Sequence, residues 1–270
     1  MTEALLAFLF GLLIGSFLNV CIYRWPRDLS VVRPRSHCPS CGKTIAWYDN
    51  IPLLSYALLR GQCRHCRARI SIRYPVVELL TALFFFYFVW TLGPEVTAVK
   101  MCVFAALLIA LLFSDLEELI LPDELTLGGA LAGLAFALFV PTPDSTAQTL
   151  SWFAGVNLTG RADWLAESAL GAALPAALLW GGGWLYEKVR HREGLGFGDV
   201  KFMAMTGAFL GLNGALLTLM LGSIAGSVLG YGYILIARKD PKTFELPFGT
   251  FLSAAALVVA ALAPKLLRAP

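Results

Sequence analysis

Long runs of apolar residues dominate this chain and limit its fold more than any other feature. There are about eight, and each approaches the roughly 20 apolar residues that a helix needs to cross a bilayer core. The chain is 58% hydrophobic and 14% charged, whereas soluble domains are roughly 45–50% apolar. We therefore expect an all-α polytopic membrane protein. The predicted spans are residues 4–22, 75–92, 96–113, 119–140, 164–189, 202–237 divided into two near Asn213, and 248–263.

Positive charge is concentrated between the first two spans. Residues 24–73 contain ten Lys or Arg and two Asp, and an excess of basic residues holds such a loop in the cytoplasm. We therefore expect a periplasmic N-terminus. The run at 4–22 has no basic region before it and no small-residue cleavage site after it, so it is predicted to be a retained helix and not a removable signal peptide.

Four cysteines in this basic loop have the spacing of a metal site. Cys38 and Cys41 form one Cys-x2-Cys pair, and Cys63 and Cys66 form a second pair, with 21 residues between the two pairs. This spacing is typical of a zinc ribbon, in which four thiolates close the coordination shell and the metal is structural. A disulfide is the alternative, which a reducing cytoplasm disfavours.

The remaining cysteines and the nearby histidines have simpler interpretations. His37 and His65 flank the cysteine pairs, but four thiolates already complete a tetrahedron, so neither is predicted to be a ligand. Cys21 and Cys102 lie within apolar spans, where an unpaired cysteine behaves as a small hydrophobic residue.

Acidic residues occur at the ends of two spans, where a carboxylate is costly and needs a reason. Asp115 lies in SDLEELILPDE after the third span, and Asp199 lies in GLGFGDVK before the sixth. The charge bias places both at the cytoplasmic face. Two carboxylates that meet can share one proton, so that one acts as a base and the other as an acid. The pattern thus indicates aspartyl proteolysis.

A structural interpretation of the same acidic residues stays open. Asp115, Asp123 and Asp199 are also suited to capping helices or to lying in solvated loops, and Lys201 is suited to anchoring a span at the membrane surface. Glycines at 194, 196 and 198 are a weak sign of nucleotide binding, because no strand precedes them.

Several stretches together resemble the bacterial type IV prepilin peptidase family, relatives of archaeal preflagellin peptidases within the Gly-x-Gly-Asp membrane aspartyl proteases. The resemblance covers nearly the whole chain. It rests on GSFLNVCIYR from Gly15, the cysteine block from Cys38 to Glu78, LPD from Leu121, EGLGFGDVK from Glu193 and LPFGTFL from Leu246.

The resemblance implies an inner-membrane aspartic endopeptidase that cleaves the leader of type IV prepilins and type II secretion pseudopilins after glycine, at the cytoplasmic face. It also implies N-methylation of the new terminus with S-adenosylmethionine, or peptidase activity alone as the alternative. The family's catalytic pair falls on Asp115 and Asp199, with Asp123 in reserve, although Ser114 replaces the usual aliphatic residue before the first aspartate. Its metal ligands fall on the four cysteines.

The domain organisation that we expect follows from these features. Residues 1–23 form the first helix, 24–74 a cytoplasmic zinc domain and 75–270 a transmembrane aspartyl peptidase core. Glu78 and Asp49 are possible contributors to methylation, although packing is equally expected for each. No glycine-rich cofactor fold is apparent, so the residues that contact S-adenosylmethionine stay unassigned.

Two other classes of function stay open beside the enzyme. A carboxylate-dependent transporter would carry charges near the bilayer midplane and internal repeats, and neither is clear in this chain. A zinc-domain membrane adaptor would depend on the cysteines and not on the aspartates. The expected partners are pilin-like substrates and the lipid bilayer, without nucleic acid, and no pattern indicates an oligomeric state.

Overall fold

The protein is almost entirely helical in a computed structural model that describes residues 1–142, 146–156, 158–191, 196–237 and 246–266. Within these ranges no strand forms, and the only extended pairing is two isolated bridges in the cysteine loop. The helices are α1 Thr2–Arg24, α2 Leu54–Leu58, α3 Arg73–Leu92, α4 Val96–Glu118, α5 Asp123–Phe136, α6 Thr146–Phe153, α7 Arg161–Arg190, α8 Phe197–Ala225, α9 Tyr231–Ile236 and α10 Phe248–Leu266.

Within the described ranges, five helical segments are long and apolar enough to cross a membrane, which confirms the predicted class of fold. They are Thr2–Arg27, Arg73–Leu92, Val96–Glu118, Arg161–Arg190 and Phe197–Ile236. Large apolar side chains are exposed along them, as on α1 at Leu5, Leu6, Leu9, Phe10 and Leu13. Such continuous apolar exposure is typical of a surface that faces lipid.

The predicted count of eight spans is not confirmed. The predicted span at residues 119–140 contains only α5, whose 14 residues extend about 21 Å against a hydrocarbon core of about 30 Å. It begins late because Leu119 has a positive φ of 56° and because Pro122, in an extended conformation, precedes the first helical residue. The apolar helix at Phe248–Ala263 is also short.

The stretch predicted to divide near Asn213 is interrupted two residues earlier. Gly211 within α8 has φ 77° and ψ −176°, a conformation that L-residues with a side chain rarely adopt. A single π-helical turn at Gly226–Gly230 then leads into α9. The 40-residue segment Phe197–Ile236 is therefore not one regular helix.

The chain divides into two compact units, Met1–Ala110 and Leu111–Pro270. In the first unit, α1 and α3 pack side by side. A Cβ on Gly11 would lie 2.7 Å from the Cα of Ala82, and one on Gly15 would lie 2.6 Å from the Cα of Glu78. Small residues at this i, i+4 spacing let the helix backbones approach closely, as is common in membranes.

In the second unit, α8 is the central helix and packs against α5, α7 and α10. Some glycines of these helices lie at close contacts: a Cβ on Gly133 would be 2.8 Å from the Ala208 Cβ, and one on Gly222 would be 2.8 Å from the Leu252 Cδ2. At Gly128 and Gly181 an added Cβ would meet no atom within 4 Å. The unit thus brings the starts of α8 and α10 to the end of α4.

Candidate active site and metal centre

Asp115 lies in the last turn of α4 and is buried, with 5% of its surface exposed. The backbone N–H of Thr250 donates to its Oδ2 at 2.6 Å, and the Thr250 hydroxyl donates to the same oxygen at 3.0 Å. Thr250 belongs to the first turn of α10, where the backbone N–H groups and the helix dipole favour a negative charge. The carboxyl group is therefore held by a helix 135 residues away in sequence.

Asp199 lies in the first turn of α8 and is also buried, with 9% of its surface exposed. The backbone N–H of Asp199 donates to Gly196 O at 3.1 Å, and Gly196 caps the helix in an extended conformation. This placement agrees with the predicted position before a span. Gly194 of the same motif lies outside the described residues.

The structure brings Asp115 and Asp199 together in the second unit. Their carboxyl groups are close enough to interact electrostatically. Leu121 lies between the starts of α8 and α10. A Cβ on Gly198 of α8 would be 3.3 Å from the Leu121 Cβ, and one on Gly249 of α10 would be 3.0 Å from the Leu121 Cδ2. The starts of α8 and α10 therefore both border Leu121, and Asp115 and Asp199 lie in the same part of the second unit.

The turn after α4 places Leu121 in this position. The Ser114 hydroxyl donates to Ile120 O at 2.8 Å, and the Leu119 N–H donates to Asp115 O at 2.9 Å. Ser114 is fully buried. The Ser114 hydroxyl thus stabilises the turn that follows Asp115.

Asp123, the reserve candidate, is in a different environment. Its side chain is 57% exposed, and its Oδ1 lies 2.5 Å from the Nζ of Lys201. Lys201 follows Asp199 by two residues on α8, so the ion pair joins the starts of α5 and α8. A carboxylate that is exposed to solvent and paired with a lysine is less suited to acid–base chemistry than the two buried carboxyl groups. Lys201 thus pairs with a carboxylate in addition to lying at the end of a predicted span.

The four cysteines lie on two turns with the same hydrogen bonds. The Cys38 N–H donates to Lys43 O at 2.9 Å and Gly42 N–H donates to Cys38 O at 2.8 Å, while Cys63 N–H donates to Ala68 O at 2.8 Å and Arg67 N–H donates to Cys63 O at 3.0 Å. The bridges His37–Thr44 and Gln62–Arg69 also occupy equivalent positions. Each Cys-x2-Cys pair is therefore built by the same local turn.

These two turns converge into an arrangement that fits one metal ion. All four Sγ atoms lie within 4.8 Å of one another, and those of Cys38 and Cys66 are 3.8 Å apart. Tetrahedral coordination with Zn–S bonds of about 2.3 Å requires sulfur atoms about 3.8 Å apart, and a disulfide requires about 2.05 Å. All six cysteines are unbridged. The donor set therefore suits zinc.

The thiol of Cys63 is prepared for metal binding by its own turn. The backbone N–H groups of Cys66 and His65 lower the pKa of the Cys63 thiol to about 6. A thiolate is the form that binds a metal ion. Neither His37 nor His65 belongs to the cluster of potential ligands found among the described residues.

Asp49 and Glu78 serve the architecture of the first unit. Arg64, between the two cysteines of the second pair, donates from Nε and Nη2 to the two oxygens of Asp49 at 2.8 and 2.5 Å. This hydrogen bonding lowers the pKa of Asp49. Glu78 on α3 is buried and accepts the N–H of Leu53 at 2.8 Å. Both carboxylates thus stabilise the cysteine loop by accepting hydrogen bonds from its residues.

The described residues of the first unit also surround a cavity of about 410 Å³, a size suited to a small cofactor. Its described lining includes Arg24, Arg35, Trp47 and Asn50 but no Asp or Glu. The arginines suit the carboxylate of S-adenosylmethionine, but no acidic side chain of this lining complements its positively charged sulfur and amino groups. We therefore do not assign this cavity to that cofactor.

Sequence reasoning missed Thr250 as a functional candidate. The residue lies in the LPFGTFL stretch that carries part of the family resemblance, but no spacing rule relates it to Asp115. Its polar side chain at the start of an apolar run was the available signal, since a hydroxyl near the membrane needs a hydrogen-bond partner.

Comparisons with known proteins agree with these features. A family model described as Bacterial Peptidase A24 N-terminal domain matches residues 9–92, and one described as Type IV leader peptidase family matches residues 102–231. The first covers the cysteine loop with α1 and α3. The second covers both Asp115 and Asp199. No solved structure matches the chain.

Curated relatives share the name prepilin leader peptidase/N-methyltransferase. A protein of Myxococcus xanthus is 42% identical over 241 residues, which are 89% of this chain and 66% of the relative. One of Aeromonas hydrophila is 36% identical over 93% of this chain and 87% of the relative, and one of Pseudomonas aeruginosa is 33% identical over 92% and 86%. With the resemblance seen in the sequence thus confirmed, this chain belongs to the type IV leader peptidase family.

Proposed function

We propose that this protein is a membrane aspartic endopeptidase that removes the leader from type IV prepilins and pseudopilins after glycine, and then methylates the new N-terminus. The observation that carries the peptidase assignment is the pair of buried carboxyl groups, Asp115 and Asp199, at the ends of apolar helices. The names of the relatives support both reactions.

In the proposed peptidase reaction, one carboxylate of the pair removes a proton from a water molecule, and the other, protonated carboxyl group donates to the carbonyl of the glycine. The water attacks directly, so no covalent intermediate with the enzyme forms. The C–N bond after the glycine then breaks as its nitrogen takes the proton that the first carboxylate had removed from the water. Burial supports this assignment, because a site screened from bulk water strengthens the interaction between the two groups. Asp123 is exposed and paired with Lys201 and has no part in the chemistry.

We assign a structural zinc ion to Cys38, Cys41, Cys63 and Cys66. Bound there, zinc would link the two cysteine turns of the domain at residues 24–74. The peptidase core would be formed by residues 75–270. Four thiolates leave no open coordination position. The metal therefore stabilises the loop and takes no part in hydrolysis.

We further propose that the cysteine loop and both aspartates face the cytoplasm of an inner membrane, with the N-terminus in the periplasm. The basic excess of residues 24–73 supports this orientation. The substrate would present its basic leader at that face while its hydrophobic segment enters among the helices.

The test is a mass measurement on the purified, detergent-solubilised protein incubated with a prepilin and S-adenosylmethionine. The parent is expected to remove the leader and add one methyl mass. Asp115→Ala and Asp199→Ala are expected to lower cleavage by at least about 10³-fold, since each removes a group on which the proton transfers depend.

Asp123→Ala is the matched control, since it removes the third aspartate of the family motifs, which lies at the start of α5 and pairs with Lys201. Cleavage at the parent rate by either Asp115→Ala or Asp199→Ala would exclude the proposed catalytic pair. Leader removal without a methyl mass would leave a peptidase alone. No cleavage of a verified substrate by the parent would favour a transporter or an adaptor.

A further inference from the structure

The start of α10 supplies a feature that neither the family names nor the catalytic pair assigns. It contains Gly249 and Thr250, which follow Pro247 in the LPFGTFL stretch. This stretch shares the second unit with both aspartates. Two of its residues, Gly249 and Thr250, lie against the carboxyl group of Asp115.

Thr250 contacts Asp115 through two donors. Its backbone N–H lies 2.6 Å and its hydroxyl 3.0 Å from the same oxygen, Oδ2. Within the described residues, the hydrogen bonds to this carboxyl group all reach Oδ2, so Oδ1 is the oxygen left for a water or for Asp199. Two donors on one oxygen fix the rotation of the carboxyl group about its Cβ–Cγ bond.

The hydroxyl of Thr250 also lies 3.2 Å from Leu112 O, in the turn of α4 that precedes Asp115. It is therefore placed by the backbone of the same helix that carries the aspartate. Gly249 allows the approach, because a Cβ at this position would lie 3.0 Å from the Cγ of Asp115 and 3.1 Å from its Oδ2. The first turn of α10 thus packs directly against the Asp115 carboxyl group.

We propose that Thr250 is a positioning residue, whose hydroxyl and backbone N–H orient the Asp115 carboxyl so that Oδ1 faces the reacting water and Asp199. The inference rests on the proposed peptidase function. Positioning residues act on the chemical step more than on substrate binding, since a reacting group displaced by a fraction of an ångström still binds substrate but reacts slowly.

Three variants in the full-length, detergent-solubilised chain test the role of the hydroxyl. Thr250→Val removes it at nearly constant shape, and Thr250→Ser retains it. Thr218→Val is the control, since Thr218 is also buried and its hydroxyl donates only to Gly214 O within α8. Cleavage of a prepilin is measured as kcat and KM, and folding as the melting temperature.

We expect Thr250→Val to lower kcat about tenfold to 100-fold, the loss of one hydrogen bond to a charged group, with KM within about twofold of the parent. Thr250→Ser is expected to restore kcat to within about threefold, and Thr218→Val to leave kcat unchanged. An unchanged kcat in Thr250→Val, or a folded Thr250→Ser as slow as Thr250→Val, would overturn the proposal.

A second measurement does not depend on prepilin cleavage. The melting temperatures of the parent, Thr250→Val, Asp115→Ala and the double variant form a thermodynamic cycle. Non-additive shifts, with little effect of Thr250→Val once Asp115 is absent, are expected. Additive shifts contradict the contact, whereas a parent that cleaves no prepilin contradicts the proposed function, so the two failures are distinguishable.

Discussion

At the scale of single residues, the three aspartates Asp115, Asp123 and Asp199 lie in different environments. Asp115 and Asp199 are buried, and Asp123 is exposed and paired with Lys201. A site screened from water strengthens the interaction between two carboxyl groups, which acid–base catalysis by such a pair uses. The exposed Asp123 lacks this screening.

This difference predicts a mild effect of Asp123→Asn. The ion pair with Lys201 is partly solvent-exposed, and pairs of this kind contribute about 0–1 kcal/mol. We therefore expect a cleavage rate within about threefold of the parent, measured in the prepilin assay. Lys201→Gln, which breaks the same pair from the other side, is the matched variant and should behave alike. A loss as large as that of Asp199→Ala would instead place Asp123 in the catalytic pair.

At the scale of helices, the contact between α7 and α8 depends on backbone proximity. Gly171 on α7 lies against Gly207 and Gly211 on α8, and a Cβ on Gly171 would be 2.8 Å from the Gly211 Cα. In lipid, helices gain little from burying apolar area, so close van der Waals packing holds them together. The break at Gly211 lies within this contact.

Gly171→Ala is therefore expected to destabilise the protein, by about 1–3 kcal/mol if overpacking acts as it does in soluble cores. The measurement is the melting temperature in detergent. Gly181→Ala is the control on the same helix, because a Cβ there meets no atom within 4 Å, and alanine favours helix over glycine by up to about 1 kcal/mol. Equal melting temperatures for the two variants would contradict the close contact.

Across the whole molecule, the two compact units divide the two kinds of site between them. The cysteine cluster belongs to the unit Met1–Ala110, and the aspartate pair to Leu111–Pro270. The cysteine loop has little regular structure of its own beyond short helical turns and α2. A metal ion is a common way to stabilise such a segment.

We predict one zinc ion per chain in the purified protein, measured by elemental mass spectrometry. Replacing Cys38 and Cys63 by serine should remove the zinc, since each of the two turns loses a thiolate. A strong chelator should lower the melting temperature of the parent but not of this variant. Cys21→Ser with Cys102→Ser is the control, because neither residue is in the cluster. A parent without zinc, or a variant that retains it, would refute the assignment.

The sequence by itself determined the features that depend on local chemistry. Apolar runs predict membrane helices because each helix satisfies its own backbone polar groups, and the described part of the chain contains five helices long and apolar enough to cross a membrane. The Cys-x2-Cys spacing likewise predicts the cluster, because each pair is built by one short turn. Asp115 and Asp199 stand out because a charge beside an apolar run is costly.

Only the tertiary structure decided which distant groups meet and where helices break. The number of spans depends on the dihedral angles of Gly211 and Leu119, which composition does not encode. The contact of Thr250 with Asp115 joins residues 135 positions apart, and such a contact results from the packing of α10 against α8 and from the turn held by Ser114. Hydropathy reports a residue's preference for lipid or water, whereas an oriented carboxyl group requires donors that only the folded chain brings within 3 Å.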